Sequence, residues 1–402
     1  MIVRAKVIVT MDGPPIENGA VAISGERIVD VGMFSEVAKT RASEDVVDLG
    51  EQAVLPGLIN AHCHLDYTGL RGKIPRQKSF TDWIRAINAE KAKLAAEDYV
   101  GSINDGFAEA KRFGTTTIAN LTAFPKLVSQ IQAPIRTWWF AELIDVRDPN
   151  RASEIVDLAV GHLRSQGNWG LAPHALFTAS ANLYRRSAEV APLLTTHLAE
   201  SREEMSMFRN AKGGLYDFLK DIGRDIGDCG QGTPVATFFQ RAGPSQTGTG
   251  NRPYLLVHLN ELAENDFDLL KKTGLALSIV HCPRSHAYSE HSPFEFQKLR
   301  DLGFNICLGT DSLASNDDLS LFAELRAFQQ EFPNVSPEKA VEMVTLSPAR
   351  ALQQEKSLGK IAGGFAADLI AVPLARSTSI FEEIVGFKGP VRWSMVGGRI
   401  LA

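Results

Sequence analysis

Apolar and polar positions along this chain follow two regimes. In the middle, short apolar and β-branched runs alternate with longer segments whose apolar residues recur at helical spacing. That alternation predicts βα units around a parallel sheet. Eight short runs stand out, at 58–64, 115–121, 136–143, 170–176, 193–197, 254–258, 275–281 and 305–311. Between them, segments such as 81–93 and 102–113 carry the helical period. Eight strands with interleaved helices over roughly 300 residues match a closed (β/α)8 barrel better than an open sheet.

Both ends of the chain read differently. Residues 2–10, 20–24, 27–31 and 46–49 are strand-like, as are 367–372 and 391–396, with turn residues such as Asp12-Gly13 and Gly397-Gly398 between them. The pattern predicts a small β-sandwich domain built from both termini, residues 1–55 with 364–402, around a barrel domain at 56–363. The stretch 223–250, rich in Gly, Thr, Asp and Gln, reads as a loop or lid between the fifth and sixth barrel strands.

Composition narrows the function classes. With 402 residues and 44% hydrophobic content the chain can bury a large core. A net charge of −5 without a basic cluster argues for a small-molecule substrate and against nucleic acid. Arg4 and Lys6 interrupt the first apolar residues, which is no signal peptide, and no run approaches the ~20 apolar residues of a membrane span. Four scattered cysteines (Cys63, Cys229, Cys282, Cys307) fit a reducing cytoplasm.

The candidate chemistry sits at the ends of the apolar runs, where a (β/α)8 barrel carries its active site. His62 and His64 lie one residue apart, so strand alternation points both to one face, and Cys63 between them to the other, as a buried reduced thiol. His197 closes the fifth run and Asp311 the eighth; with His62 and His64 they make a three-nitrogen, one-oxygen set suited to Zn²⁺, with room for a water. Glu200, three residues past His197, stands where it could reach that water, whereas Glu203 and Glu204 suit the first turn of a helix. His258, closing the sixth run, is either a fourth ligand or a proton-handling group. Asp317 and Asp318 read as capping or solvated.

Three segments, Pro56-Gly57-Leu58-Ile59-Asn60-Ala61-His62-Cys63-His64, Thr196-His197-Leu198-Ala199-Glu200 and Gly309-Thr310-Asp311-Ser312, resemble the amidohydrolase superfamily. The closer likeness is to its aminohydrolase branch of adenosylhomocysteine, aminofutalosine and guanine deaminases and triazine hydrolases. The resemblance covers essentially the whole chain. It implies His62, His64, His197 and Asp311 as metal ligands, Glu200, His258 and Asp311 as the catalytic groups, and possible homodimers. Dinuclear relatives carry a carboxylated lysine near the third run; none stands in Thr137-Trp138-Trp139-Phe140-Ala141-Glu142, so one divalent ion is implied, Zn²⁺ by default, with Fe²⁺ or Mn²⁺ fitting the same donors. His174 matches a substrate-contacting position. In His281-Cys282-Pro283-Arg284-Ser285-His286 relatives commonly have asparagine at the last place, and Arg284 and His286 with His281 and Trp83 are the expected substrate-binding residues; Arg136 and Arg147 are further pocket candidates.

The expected reaction is hydrolytic deamination of an aminated heterocycle, an adenosine-type nucleoside in particular. A cyclic amide or an aryl chloride would use the same site. A barrel serving only as a binding protein would lack a ligand or the acid, and neither is missing here.

Overall fold

The computed structural model describes residues 1–242, 252–272, 274–375 and 379–401. The N-terminal strands are β1 (Ile2–Ile8), β2 (Ile16–Ser24), β3 (Arg27–Met33), β4 (Val46–Asp48) and β5 (Gln52–Pro56). The barrel strands follow as β6 (Leu58–Cys63), β7 (Thr115–Thr122), β8 (Arg136–Leu143), β9 (Trp169–Pro173), β10 (Leu194–Leu198), β11 (Tyr254–His258), β12 (Leu277–His281) and β13 (Asn305–Leu308). The chain ends with β14 (Leu369–Pro373), β15 (Trp393–Val396) and β16 (Arg399–Leu401).

Strands β6 to β13 pair in parallel and in chain order, with helices between them. Closure runs from the end of β13 back to β6: the Thr310 and Asp311 amides donate to the His62 carbonyl at 3.0 and 3.2 Å. Only glycine fits beside that seam, because a Cβ on Gly309 would fall 2.8 Å from the same carbonyl oxygen. Alternation sorts the side chains. Ile59, Ala61, Leu121, Phe140, Leu255, Val257 and Val280 fill the barrel, while Leu58, Ile118, Leu171, Leu256 and Ile279 join the outer core with the helices.

The two termini share one sheet, ordered β16-β15-β14-β5-β1-β2-β3, with β4 also on β1. Its ends meet: the Ala367 amide donates to the Glu26 carbonyl at 2.9 Å, and the Gly398 amide to the Ala367 carbonyl at 3.0 Å. The sheet thereby folds over a core that includes Val3, Val21, Ile23, Val54, Leu369 and Met395, the expected sandwich. Strand β5 is an addition. Its residues lie at the end of the 1–55 stretch assigned to the terminal domain without being named as a strand, and they pair with β14 and β1 and tie that sheet to β6.

The 223–250 stretch is only partly a loop. Pro234–Ala242 is a helix, begun by Pro234, with the Thr233 hydroxyl accepting from the Ala236 amide at 3.1 Å. Arg224 and Arg241 both bind Asp228, and Arg224 also donates to the Phe177 carbonyl at 2.9 Å, so this segment is fastened to the barrel rim. Residues 243–250 lie outside the described residues. Among the described residues no helix is long and apolar enough to cross a membrane.

Candidate active site

At the end of β6 the pairing with β7 slips between Asn60 and Cys63. Asn60 fills the irregularity, its Oδ1 accepting from the His62 and Thr310 amides at 3.3 and 3.2 Å and its Nδ2 donating to the Thr310 hydroxyl at 2.8 Å. His62 and His64 both face the centre, their rings 4.9 Å apart. Cys63 packs in the outer core, where burial pushes its thiol pKa well up.

β10 presents His197. Its Nδ1 lies 2.9 Å from the His174 carbonyl; a carbonyl only accepts, so Nδ1 carries the proton and Nε2 keeps its lone pair for the centre. That Nε2 lies 3.3 Å from Nε2 of His64. Asp311 follows β13 with a φ of +55°. Its Oδ2 accepts from the Ser285 hydroxyl at 2.7 Å, leaving Oδ1 turned to His62 Nε2 at 3.6 Å and His64 Nε2 at 3.9 Å.

This donor set fits a divalent cation. Both ring nitrogens of His62 are buried without a hydrogen bond, Nε2 facing only the Asp311 carboxylate at 3.6 Å, a costly state for polar atoms that an ion would relieve. Ligating atoms of His62, His64 and Asp311 lie within 4.8 Å of one another, as do those of His62, His197 and His258. Burial, with the neighbouring imidazoles, holds His64 well below the usual histidine range and His197 at about 4. Neutral imidazoles and one carboxylate are the donors that N/O-ligated Zn²⁺ takes.

Two further groups face the centre. His258 ends β11 with a φ of +79°, and its Nε2 lies 3.6 Å from Glu200 Oε1. Such φ values are uncommon outside glycine and concentrate at functional sites. Burial first, then the charges of Asp311 and Glu204, pushes the Glu200 carboxyl well above its ordinary range, and burial pushes His258 well below its own. Glu204 does more than start a helix: its Oε2 accepts from the Glu200 amide at 2.7 Å and so fixes the backbone that carries the acid.

A cleft of about 150 Å³ opens onto these groups. His174 and Trp83 line it. His174 Nδ1 meets the Thr178 hydroxyl at 2.7 Å, and its ring lies 4.9 Å from that of His197. Trp83 stacks with Phe80, which meets Phe177 edge-on.

Other expected pocket residues lie elsewhere. His281 faces outward with Ile279, since Val280 and Cys282 take the inward positions, and its ring lies flat on Phe294 at 4.0 Å. His286 sits in the helix Pro283–Ser289 and donates through Nε2 to the Ser292 carbonyl at 2.8 Å. Arg284 is taken up by Asp317 and Asp318, at 3.1 and 2.5 Å, so those two acids anchor an arginine and it does not reach the cleft. Arg136 opens β8, at the barrel end opposite the site, and clamps Asp368 at 3.0 and 3.2 Å. Arg147 is exposed and outside the cleft lining.

Tyr67, Lys91 and Glu142 line the cleft as well, outside the expected set. Glu142 had a readable signal, because it stands near the C-terminal end of β8. Its Oε2 lies 3.4 Å from His64 Nδ1. Tyr67 and Lys91 follow β6 on connecting segments, where periodicity says nothing about what folds over a barrel mouth.

Over 395 aligned residues the chain is 29% identical to a 5-methylthioadenosine/S-adenosylhomocysteine deaminase of Moorella thermoacetica, covering 93% of this chain and 86% of that protein. In fold it matches Helicobacter pylori aminofutalosine deaminase, solved with methylthio-coformycin, at a TM-score of 0.88 and 20% identity over 100% of both chains. It also matches an adenosine deaminase of Xanthomonas campestris with bound zinc, at a TM-score of 0.81 and 23% identity over 99% of this chain and 92% of the other. The model of the amidohydrolase family matches residues 53–401, and this chain belongs to that family.

Proposed function

We propose that the protein is a metal-dependent deaminase that hydrolyses the exocyclic amine of an adenosine-type nucleoside and releases ammonia. The observation that carries the reading is a buried Glu200, its carboxyl pushed above the ordinary range by burial and by Asp311, beside His258 at 3.6 Å and facing the cluster of imidazoles and one carboxylate. The deaminase names of the relatives point the same way. A cyclic amide or aryl chloride is a weaker reading, because a carboxylic acid aimed into the cleft suits protonation of a ring nitrogen.

His62, His64, His197 and Asp311 would hold the ion, which we take as Zn²⁺. A divalent ion there supplies Lewis acidity, making water nucleophilic near neutral pH. Glu200 then gives its proton to the ring nitrogen next to the amino-bearing carbon, which makes that carbon electrophilic. Asp311 and His258 accept the proton of the attacking water as its oxygen bonds to the carbon. Returning that proton to the amino nitrogen breaks the carbon–nitrogen bond, the remaining hydroxyl proton passes to the Glu200 carboxylate as the carbonyl forms, and ammonia leaves.

Glu142 acts through His64, as a positioning residue. A carboxylate at Nδ1 sets the orientation and basicity of a ligating imidazole, and losing such a partner typically weakens metal binding by about 10–100-fold. Glu142→Gln is therefore expected to lower metal affinity by that factor, read by competition with a chelator. Unchanged affinity would remove the role.

The reading itself is tested by ammonia release from the zinc-loaded protein over adenosine, S-adenosylhomocysteine, 5-methylthioadenosine, aminofutalosine, guanine, pterins and aminotriazines. Release from a nucleoside supports it. Metal-loaded protein that releases ammonia from none of them would sink it.

A further inference from the structure

A second group of metal-ligating side chains lies outside the barrel. His281 is the last residue of β12, and its side chain faces away from the barrel interior. The residue is fully buried, and its ring lies flat on Phe294 at 4.0 Å. Stacking takes up one face of the ring and leaves free the edge that carries the nitrogens. Neither nitrogen has a hydrogen-bond partner. A neutral imidazole has one N–H to give and one lone pair to offer, and burying both unused is costly. Burial first, then His286 and His291 beside it, holds His281 well below the usual histidine range, so its lone pair is available.

Two other groups converge on it. His286 stands in the helix Pro283–Ser289, with its ring 5.2 Å from that of His281. Its Nε2 lies 2.8 Å from the Ser292 carbonyl, which fixes the proton there and leaves the lone pair on Nδ1. Glu331 closes the helix Leu321–Glu331 and is exposed. One ligating atom from each of the three lies within 4.8 Å of the others. Donors held at about 2.1 Å around a tetrahedral ion sit about 3.4 Å apart, so an exposed glutamate side chain closes the site with a small shift. None of the three lines the catalytic cleft. Two imidazoles and a carboxylate, with a fourth place for water, suit Zn²⁺ and also Co²⁺ or Ni²⁺, whereas Mg²⁺ and Ca²⁺ take oxygen donors.

We propose that His281, His286 and Glu331 form a second site for a divalent transition-metal ion, separate from the catalytic cluster. An ion there ties the end of β12 to two helices. The first of them carries Ser285, whose hydroxyl donates to Asp311 at 2.7 Å. The assignment does not rest on the reaction proposed above.

The test counts zinc. Wild type, Glu331→Gln and His286→Asn are dialysed against the same buffered excess of zinc, and bound metal per chain and Tm are measured. Wild type is expected to hold one ion more than either variant, and its Tm should gain more from the added zinc. Losing a direct ligand should weaken that ion by more than the about 10–100-fold typical of losing an outer partner. Glu331 is exposed, so Glu331→Gln probes the site without disturbing the core. The comparison is between wild type and variants, so it holds whatever the catalytic centre binds, and its failure would leave the deaminase reading standing. A wild type that holds no more zinc than the variants, or a second ion whose affinity survives either substitution, overturns the assignment.

Discussion

Glu200→Gln is expected to retain the metal and to lose about 10²–10⁴-fold in kcat/KM, the usual worth of a positioned general acid. Gln is close in shape to Glu and keeps the contacts made by the backbone, including the Glu200 amide to Glu204 at 2.7 Å. What it lacks is the transferable proton. Wild type carries that proton well above the ordinary carboxylate range because the group is buried and faces Asp311 and Glu204. Activity needing the protonated acid is present below the raised pKa and is lost as pH rises through it, so wild type should show an alkaline limb in kcat/KM. In Glu200→Gln the residual activity should lack that limb. A variant with near-normal turnover at neutral pH would remove Glu200 from the mechanism, and an unchanged alkaline limb would assign that limb to another group.

His197→Ala is expected to abolish metal binding at ordinary concentrations, with loss of activity to background. Removing an outer carboxylate partner of a metal-ligating histidine already costs about 10–100-fold in affinity, and a ligand that contacts the ion directly should cost more. The stability readout separates this from misfolding. An ion bound only by the folded state adds about 2.7 kcal/mol at a hundredfold excess over its Kd, so chelation should lower the Tm of wild type and leave that of His197→Ala nearly unmoved. The variant also loses the packing of its ring against His62, His64, His174 and His258, so the comparison that counts is the change in Tm on chelation within each protein. A variant that still binds zinc stoichiometrically would contradict the ligand set.

Residues that carry the expected chemistry were legible where local rules govern them. His62 and His64 share a face, and His197 stands inward at the end of β10, because strand alternation is set by neighbours in the chain; that the first face looks inward beside Ile59 and Ala61 is due to the slip in pairing between Asn60 and Cys63. The same rule, applied one step further, would have turned His281 away from the cleft, since Val280 faces in. Arg136 was misread for a related reason: it opens its strand, and in a parallel barrel every strand start lies at the end away from the site. Glu142, near the end of the same strand, was the better reading.

By itself the chain's pattern determined the eight strands, their order, the folding of both termini into one sheet, and the clustering of His62, His64, His197 and Asp311. Each follows from short-range periodicity and from the rule that parallel strands deliver their C-terminal ends to one face. Only the tertiary structure decided the rest. His258 reaches Glu200 because its backbone turns to a positive φ, and Arg284 is withdrawn because Asp317 and Asp318 fold onto it. The Phe80–Lys91 helix becomes a wall of the cleft because it lies across the barrel mouth. Contacts of this kind join residues far apart in the chain, and their geometry depends on how loops of unpatterned sequence pack, which no local period records.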